Sequence, residues 1–136
     1  RTLYATARSV EDQQVILLKR KEYPVSRAAL QALLRLDAKD VHLHTDAAEL
    51  AVAVRDLATA ERELAAAEKA VAAGQADMKS STALLWMTVA RLHAEAGALE
   101  RAKLAARHAL AVDPERGEAQ ELLADLSERA SASQAP

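Results

Sequence analysis

The chain has 136 residues, 51% of them apolar but only 2% aromatic, with no cysteine and a formal charge of −2. That length suits one compact domain, and the lack of cysteine excludes disulfides and thiolate metal sites. Charges of both signs are interspersed without a Lys/Arg-rich block, which argues against nucleic acid, since duplex binding needs a basic face to displace counterions. No run of about 18 apolar residues occurs, so nothing reads as a membrane span. The chain starts at Arg1 rather than Met, so the lack of a signal peptide carries no information. Much of the apolar content is Ala, and Tyr4, Tyr23 and Trp86 are the aromatics. Ala, Leu, Glu, Arg and Lys are good helix formers, and β-branched residues never fall into alternating runs. The chain reads as all-α.

Residues 1–6 carry no signal of their own. A first helix is expected over 7–21, with Val10, Val15, Ile16 and Leu17 as its apolar content. Tyr23-Pro24 marks a turn, because the residue before proline is pushed out of the α region. A second helix runs from Pro24 to Leu36 with Leu30, Leu33 and Leu34 on one stripe, and Asp37-Ala38-Lys39-Asp40 ends it. A third is expected over 41–55 and a fourth over 57–73, with Gly74 as its C-terminal cap. Residues 46–73 would be a single long coiled-coil helix only if a heptad ran through them. Leu50, Val52, Val54, Leu57, Leu64 and Val71 do not hold that spacing, so the hairpin is the stronger expectation. Residues 78–82 read as a linker, with Ser81 or Thr82 as N-cap. A fifth helix covers 83–96 up to Gly97, a sixth 99–112 up to Asp113-Pro114, and a seventh 117–130. Residues 131–136 read as a disordered tail.

A spacing recurs about every 34 residues, the mark of stacked helix pairs. Leu30 and Leu33, Leu64 and Ala67, and Ala106 and Ala109 each precede a helix-ending segment. Over 83–116, Trp86, Val89, Ala90, Gly97, Ala102, Ala109 and Pro114 stand at the signature positions of the tetratricopeptide repeat (TPR), which this stretch resembles. His93 and Ala106 depart from the family's Tyr and aromatic. Residues 41–74 resemble a second repeat through Ala48, Ala60, Leu64 and Ala67, with His44 in place of the Trp and Arg55 in place of the turn Gly. Residues 7–40 resemble a weaker one through Lys21-Glu22-Tyr23, Leu30 and Ala38, and 117–130 resembles the extra helix that covers a last repeat. In that helix Leu123 and Ala124 would continue the packing, while Glu118, Glu121, Asp125 and Glu128 face water. Residues Gln75 to Thr82 are an insertion between the second and third repeats.

The resemblance implies a single domain over 1–130, a right-handed superhelical α-solenoid of antiparallel helix pairs with about seven helices. It implies a non-enzymatic protein-interaction module that needs no cofactor. In this family the first helix of each pair lines a concave groove. Carried over, the groove shows Arg8, Glu11, Asp12, Val15 and Lys19 from the first repeat and His42, Thr45, Asp46 and Glu49 from the second. Leu84, Met87, Thr88 and Arg91 follow from the third, and Glu118, Glu121 and Asp125 from the last helix. Some members clamp a C-terminal carboxylate with Lys and Asn; Glu11, Val15, Asp46, Leu84 and Thr88 occupy those positions here, so that clamp is missing. The expected partner is a protein or peptide bringing positive charge to the acidic end. The alternative is an assembly module of a larger or self-associating protein. High Ala with Arg, Asp and Glu suggests a GC-rich bacterium, whose modules of this kind serve secretion, pilus assembly, cytochrome maturation and polysaccharide export, in cytoplasm or periplasm.

Catalytic signals are weak. His42-x-His44 could begin a metal site, but neighbours two apart on a helix point nearly opposite ways and no third ligand lies near. The plainer expectation is a helix-start pair facing solvent. His93 with Glu95 is a loose acid/base pair, but a half-buried, satisfied histidine suits that packing slot better. His108 sits beside Arg107 near a helix C-terminus, where cations interact favourably with the dipole. No nucleophile elbow and no Gly-rich phosphate loop exist. No catalytic and no metal-ligating residue is therefore expected.

Overall fold

The computed structural model describes residues 21–134, and the regular structure among them is entirely helical. Helix α1 covers residues 21–36. It is followed by α2 (Val41–Ala53), α3 (Leu57–Ala72), a 3-10 turn (Ala76–Met78), α4 (Lys79–Glu95), α5 (Leu99–Val112) and α6 (Gly117–Gln134). Six helices thus stand among the described residues against the seven expected. The first expected helix, 7–21, lies outside them apart from Lys21.

Three expected boundaries move, the first two for tertiary reasons. The helix α1 runs unbroken through Tyr23-Pro24, where a turn is expected. The Tyr23 hydroxyl donates to Asp56 Oδ2 across 2.7 Å, and this anchor to the start of α3 outweighs the local bias of a residue before proline. Likewise Ser81 and Thr82 are not caps: α4 begins at Lys79, continuous with the 3-10 turn, and Thr82 is fully buried with its hydroxyl donating to the Met78 carbonyl. The last helix also runs four residues past Ala130, so 131–134 are helical where a disordered tail is expected.

Residues 46–73 form a hairpin. Helix α2 ends in a Schellman turn, with the Arg55 N–H donating to Val52 O and the Asp56 N–H to Ala51 O. The same two bonds end α4 (Gly97 to Ala94, Ala98 to His93) and α3 (Gly74 to Val71, Gln75 to Ala70). Each turn needs one left-handed residue; Gly97 and Gly74 supply it at φ 81° and 119°, and Arg55 adopts it at φ 66°.

The α2–α3 hairpin recurs in α4–α5 at a shift of 42 positions, from Ala48 to Ala90. Ala48/Ala90, Ala60/Ala102, Leu64/Ala106 and Ala67/Ala109 are all fully buried at matched sites. His44 and Trp86 are also matched and buried, at 9% and 3% exposure. These small side chains let paired helices approach closely, while Leu64, Met87 and Leu126 supply the large buried area, each worth about 1.5–3 kcal/mol. Helix α4 touches α2, α3 and α6, and α3 touches α5, so the two hairpins pack on one another. Helix α6 covers the end of the stack through Ala119, Leu126 and Ala130, spaced for one helical face. Leu123 is half-buried there, but Ala124 is exposed, one position off that face. On α1, Leu34 is buried whereas Leu33 is 48% exposed, so the expected stripe is narrower.

Caps and charges complete the frame. Asp40 caps α2 by accepting from His42 and Leu43, and Asp56 caps α3 by accepting from Thr59. Burial alone would raise the Asp56 carboxyl, but hydrogen bonds from Tyr23 and Thr59 and the nearby Arg27 charge hold it below its ordinary value. Burial first, then donation to Asp56, pushes the Tyr23 hydroxyl above its ordinary value. At the other end Asp113 meets Lys79 at 3.8 Å and Arg116 at 3.3 Å, tying the start of α4 to the end of α5.

Candidate functional site

Helix α3 lies against α2, α4 and α5 and sends a glutamate to a histidine on each. The Nε2–H of His93 donates to Glu61 across 2.5 Å, Nδ1–H of His44 to Glu63 across 2.6 Å, and Nδ1–H of His108 to Glu68 across 2.9 Å. A carboxylate only accepts, which decides which ring nitrogen carries the proton. His44 also meets the Ala38 carbonyl through Nε2 at 2.6 Å, so both of its nitrogens face acceptors. The His44 ring is therefore buried rather than solvent-facing as expected, and only His42 is exposed, 3.1 Å from Asp77. His93 pairs with Glu61, not with the exposed Glu95.

The His93–Glu61 pair and the His108 ring border a cleft of about 370 Å³ between α3, α4 and α5. Its apolar walls are Leu57 and Ala58 at the start of α3 and Leu104 and Ala105 on α5. Its polar lining is Glu61, His93, Arg101 and His108. Trp86 lines it too, and the His108 ring stacks on the indole with centroids 4.3 Å apart and planes 10° from parallel. The indole Nε1–H is buried without an acceptor. Glu61 and Glu68 stand seven apart on one face of α3, a spacing visible in the sequence; their partners lie 32 and 40 positions away and were not.

The expected groove residues divide into three sets. Arg8, Glu11, Asp12, Val15 and Lys19 lie outside the described residues. Thr45 and Met87, at 3% and 0% exposure, cannot present a surface: Met87 is part of the central core and the Thr45 hydroxyl donates to the Val41 carbonyl. His42, Asp46, Glu49, Leu84, Arg91, Glu118, Glu121 and Asp125 are exposed on α2, α4 and α6, with Thr88 half-buried on α4. An open hollow of about 350 Å³ beside α2 is lined by Glu22, Asp46 and Glu49 with Leu50 and Ala53, so its ionisable groups are all acidic.

The His93–Glu61 pair has the form of an oriented base, but no serine, threonine or lysine lines the cleft beside it. Among the described residues no three His, Asp or Glu side chains converge as a metal site, and no helix is long and apolar enough to cross a membrane. No protein-family model, no curated protein and no solved structure matches this chain.

Proposed function

We propose that this chain is a TPR-like, non-enzymatic scaffold that holds a protein or peptide of basic character on the exposed surface of α2, α4 and α6. The observation that carries the reading is the matched burial of α2–α3 and α4–α5 at a 42-position shift, from Ala48 to Ala90. A helix pair that repeats leaves the same face of each first helix uncovered, and stacked pairs join those faces into one extended surface. That surface carries Asp46, Glu49, Glu118, Glu121 and Asp125 against the basic Arg91 and Arg129, the latter 3.9 Å from Asp125. Such a field favours a cationic partner and weakens with salt. The test is affinity capture with the full chain and with two charge-reversed variants, Asp46→Lys/Glu49→Lys and Glu121→Lys/Asp125→Lys. Loss of the captured partner in the variants, and its release by salt, supports the groove. An empty capture, or the same partner held equally by the variants, overturns it.

Self-association is the second reading, favoured by Leu84, an apolar side chain 44% exposed on α4. Sedimentation at increasing concentration separates the two: a monomer throughout removes self-association.

A further inference from the structure

We propose that the cleft between α3, α4 and α5 is a binding site for a small planar aromatic carboxylate. The inference is independent of the acidic surface proposed above, because none of the residues lining the cleft belongs to that surface. Four observations converge on it. The volume, about 370 Å³, falls in the range of small-ligand sites, and the walls at Leu57, Ala58, Leu104 and Ala105 are apolar. His108 stacks on Trp86 yet keeps 40% of its side chain exposed, which offers a flat π surface to a planar guest. Glu61 is committed to His93 and Glu68 to His108, whereas Arg101 forms no ion pair among the described residues. A guanidinium so placed matches a carboxylate in a two-point fork. Finally, the Trp86 Nε1–H, a donor in a side chain only 3% exposed, has no acceptor within the protein.

The arrangement also sets the size of the guest. Arg101, Leu104 and His108 stand at i, i+3 and i+7 on one face of α5. Cation and ring are thus about 10 Å apart along the helix, with an apolar side chain between them. A two-ring acid such as naphthalene-2-carboxylate spans that distance, its rings on His108 and Leu104 and its carboxylate on Arg101.

The test uses the full chain, labelled with nitrogen-15 and titrated with naphthalene-2-carboxylate. Trp86 is the only tryptophan, so its indole N–H gives a single signal at the cleft wall. The expected result is a saturable shift of that signal. Affinity falls about tenfold for naphthalene-2-carboxamide and for the acid on Arg101→Gln, the loss of one charged hydrogen-bond partner. Leu104→Asp abolishes the shift, and Arg107→Gln, exposed on α5 but outside the cleft, leaves it unchanged. Arg101 and Leu104 are both exposed, so these variants keep the core intact. No saturable shift, or equal affinity for acid and amide, or an undiminished response in Arg101→Gln, overturns the proposal.

Discussion

The imidazole of His108 lies flat on the indole of Trp86, 4.3 Å between ring centroids, with its Nδ1–H held by Glu68 on the neighbouring helix. The stack joins α4 to α5 and the hydrogen bond joins α5 to α3. One aromatic pair therefore contributes to both the hairpin and its packing on the preceding one. Trp86→Ala is expected to cost about 3–5 kcal/mol in urea unfolding followed by circular dichroism. Trp86→Phe should cost much less, because the indole N–H makes no hydrogen bond that Phe would lose. An alanine variant as stable as the parent would remove Trp86 from the core.

Tyr23→Phe is expected to cost about 1 kcal/mol at neutral pH, the value of one part-buried hydrogen bond. The pH dependence follows from two opposite shifts. Asp56 is lowered on folding from about 3.8, so its contribution is present above that pH and disappears as pH falls below it. Tyr23 is raised from about 10.0, so its contribution is full below that pH and is lost as pH rises above it. The difference between parent and variant should be flat through neutrality and shrink at both ends. Stability curves of the two proteins across pH check this.

Arg55 occupies a left-handed conformation, which costs a side-chain-bearing residue about 1–2 kcal/mol. Glycine removes that strain but loses about 0.5–1 kcal/mol of chain entropy and the Arg55 bond to the Val52 carbonyl. These terms nearly cancel, so Arg55→Gly should be close to neutral and about 0.5–1 kcal/mol more stable than Arg55→Ala. Arg55→Ala keeps the strain and loses the bond, so it should destabilise. Thermal melts in which alanine outperforms glycine would contradict this account of the turn.

Glu61→Ala leaves the buried His93 N–H without an acceptor and should cost about 1 kcal/mol, even though Glu61 itself is 41% exposed. In a double-mutant cycle with His93→Ala, the coupling should also be about 1 kcal/mol. Additive effects would show that the pair contributes little beyond the packing of each side chain.

The helices were largely legible because their signals are local. Leu99–Val112 has the expected bounds, with Gly97 before it and Asp113-Pro114 after it. The α2–α3 hairpin was legible from the absence of a heptad, although Arg55 hides the turn that a glycine would announce. Where the expectation failed, a contact between distant segments overrode a local preference. Tyr23 held by Asp56 carries α1 through a proline, and Thr82 is drawn into the core instead of capping a helix.

The groove residues show the same division. Asp46, Glu49, Glu121 and Asp125, expected on a groove from the repeat resemblance alone, are exposed. That resemblance did not remove Thr45 and Met87, which lie on the side of their helices covered by neighbours.

Residue pattern was enough to establish an all-helical chain of small-residue hairpins, because helix period, caps and turn glycines act within a few positions of one another. The cleft, the stacked ring and the three histidine–glutamate pairs came from packing alone. They join residues 19 to 40 positions apart, and a hydrogen bond across that separation depends on where helices lie in space, which no local signal encodes.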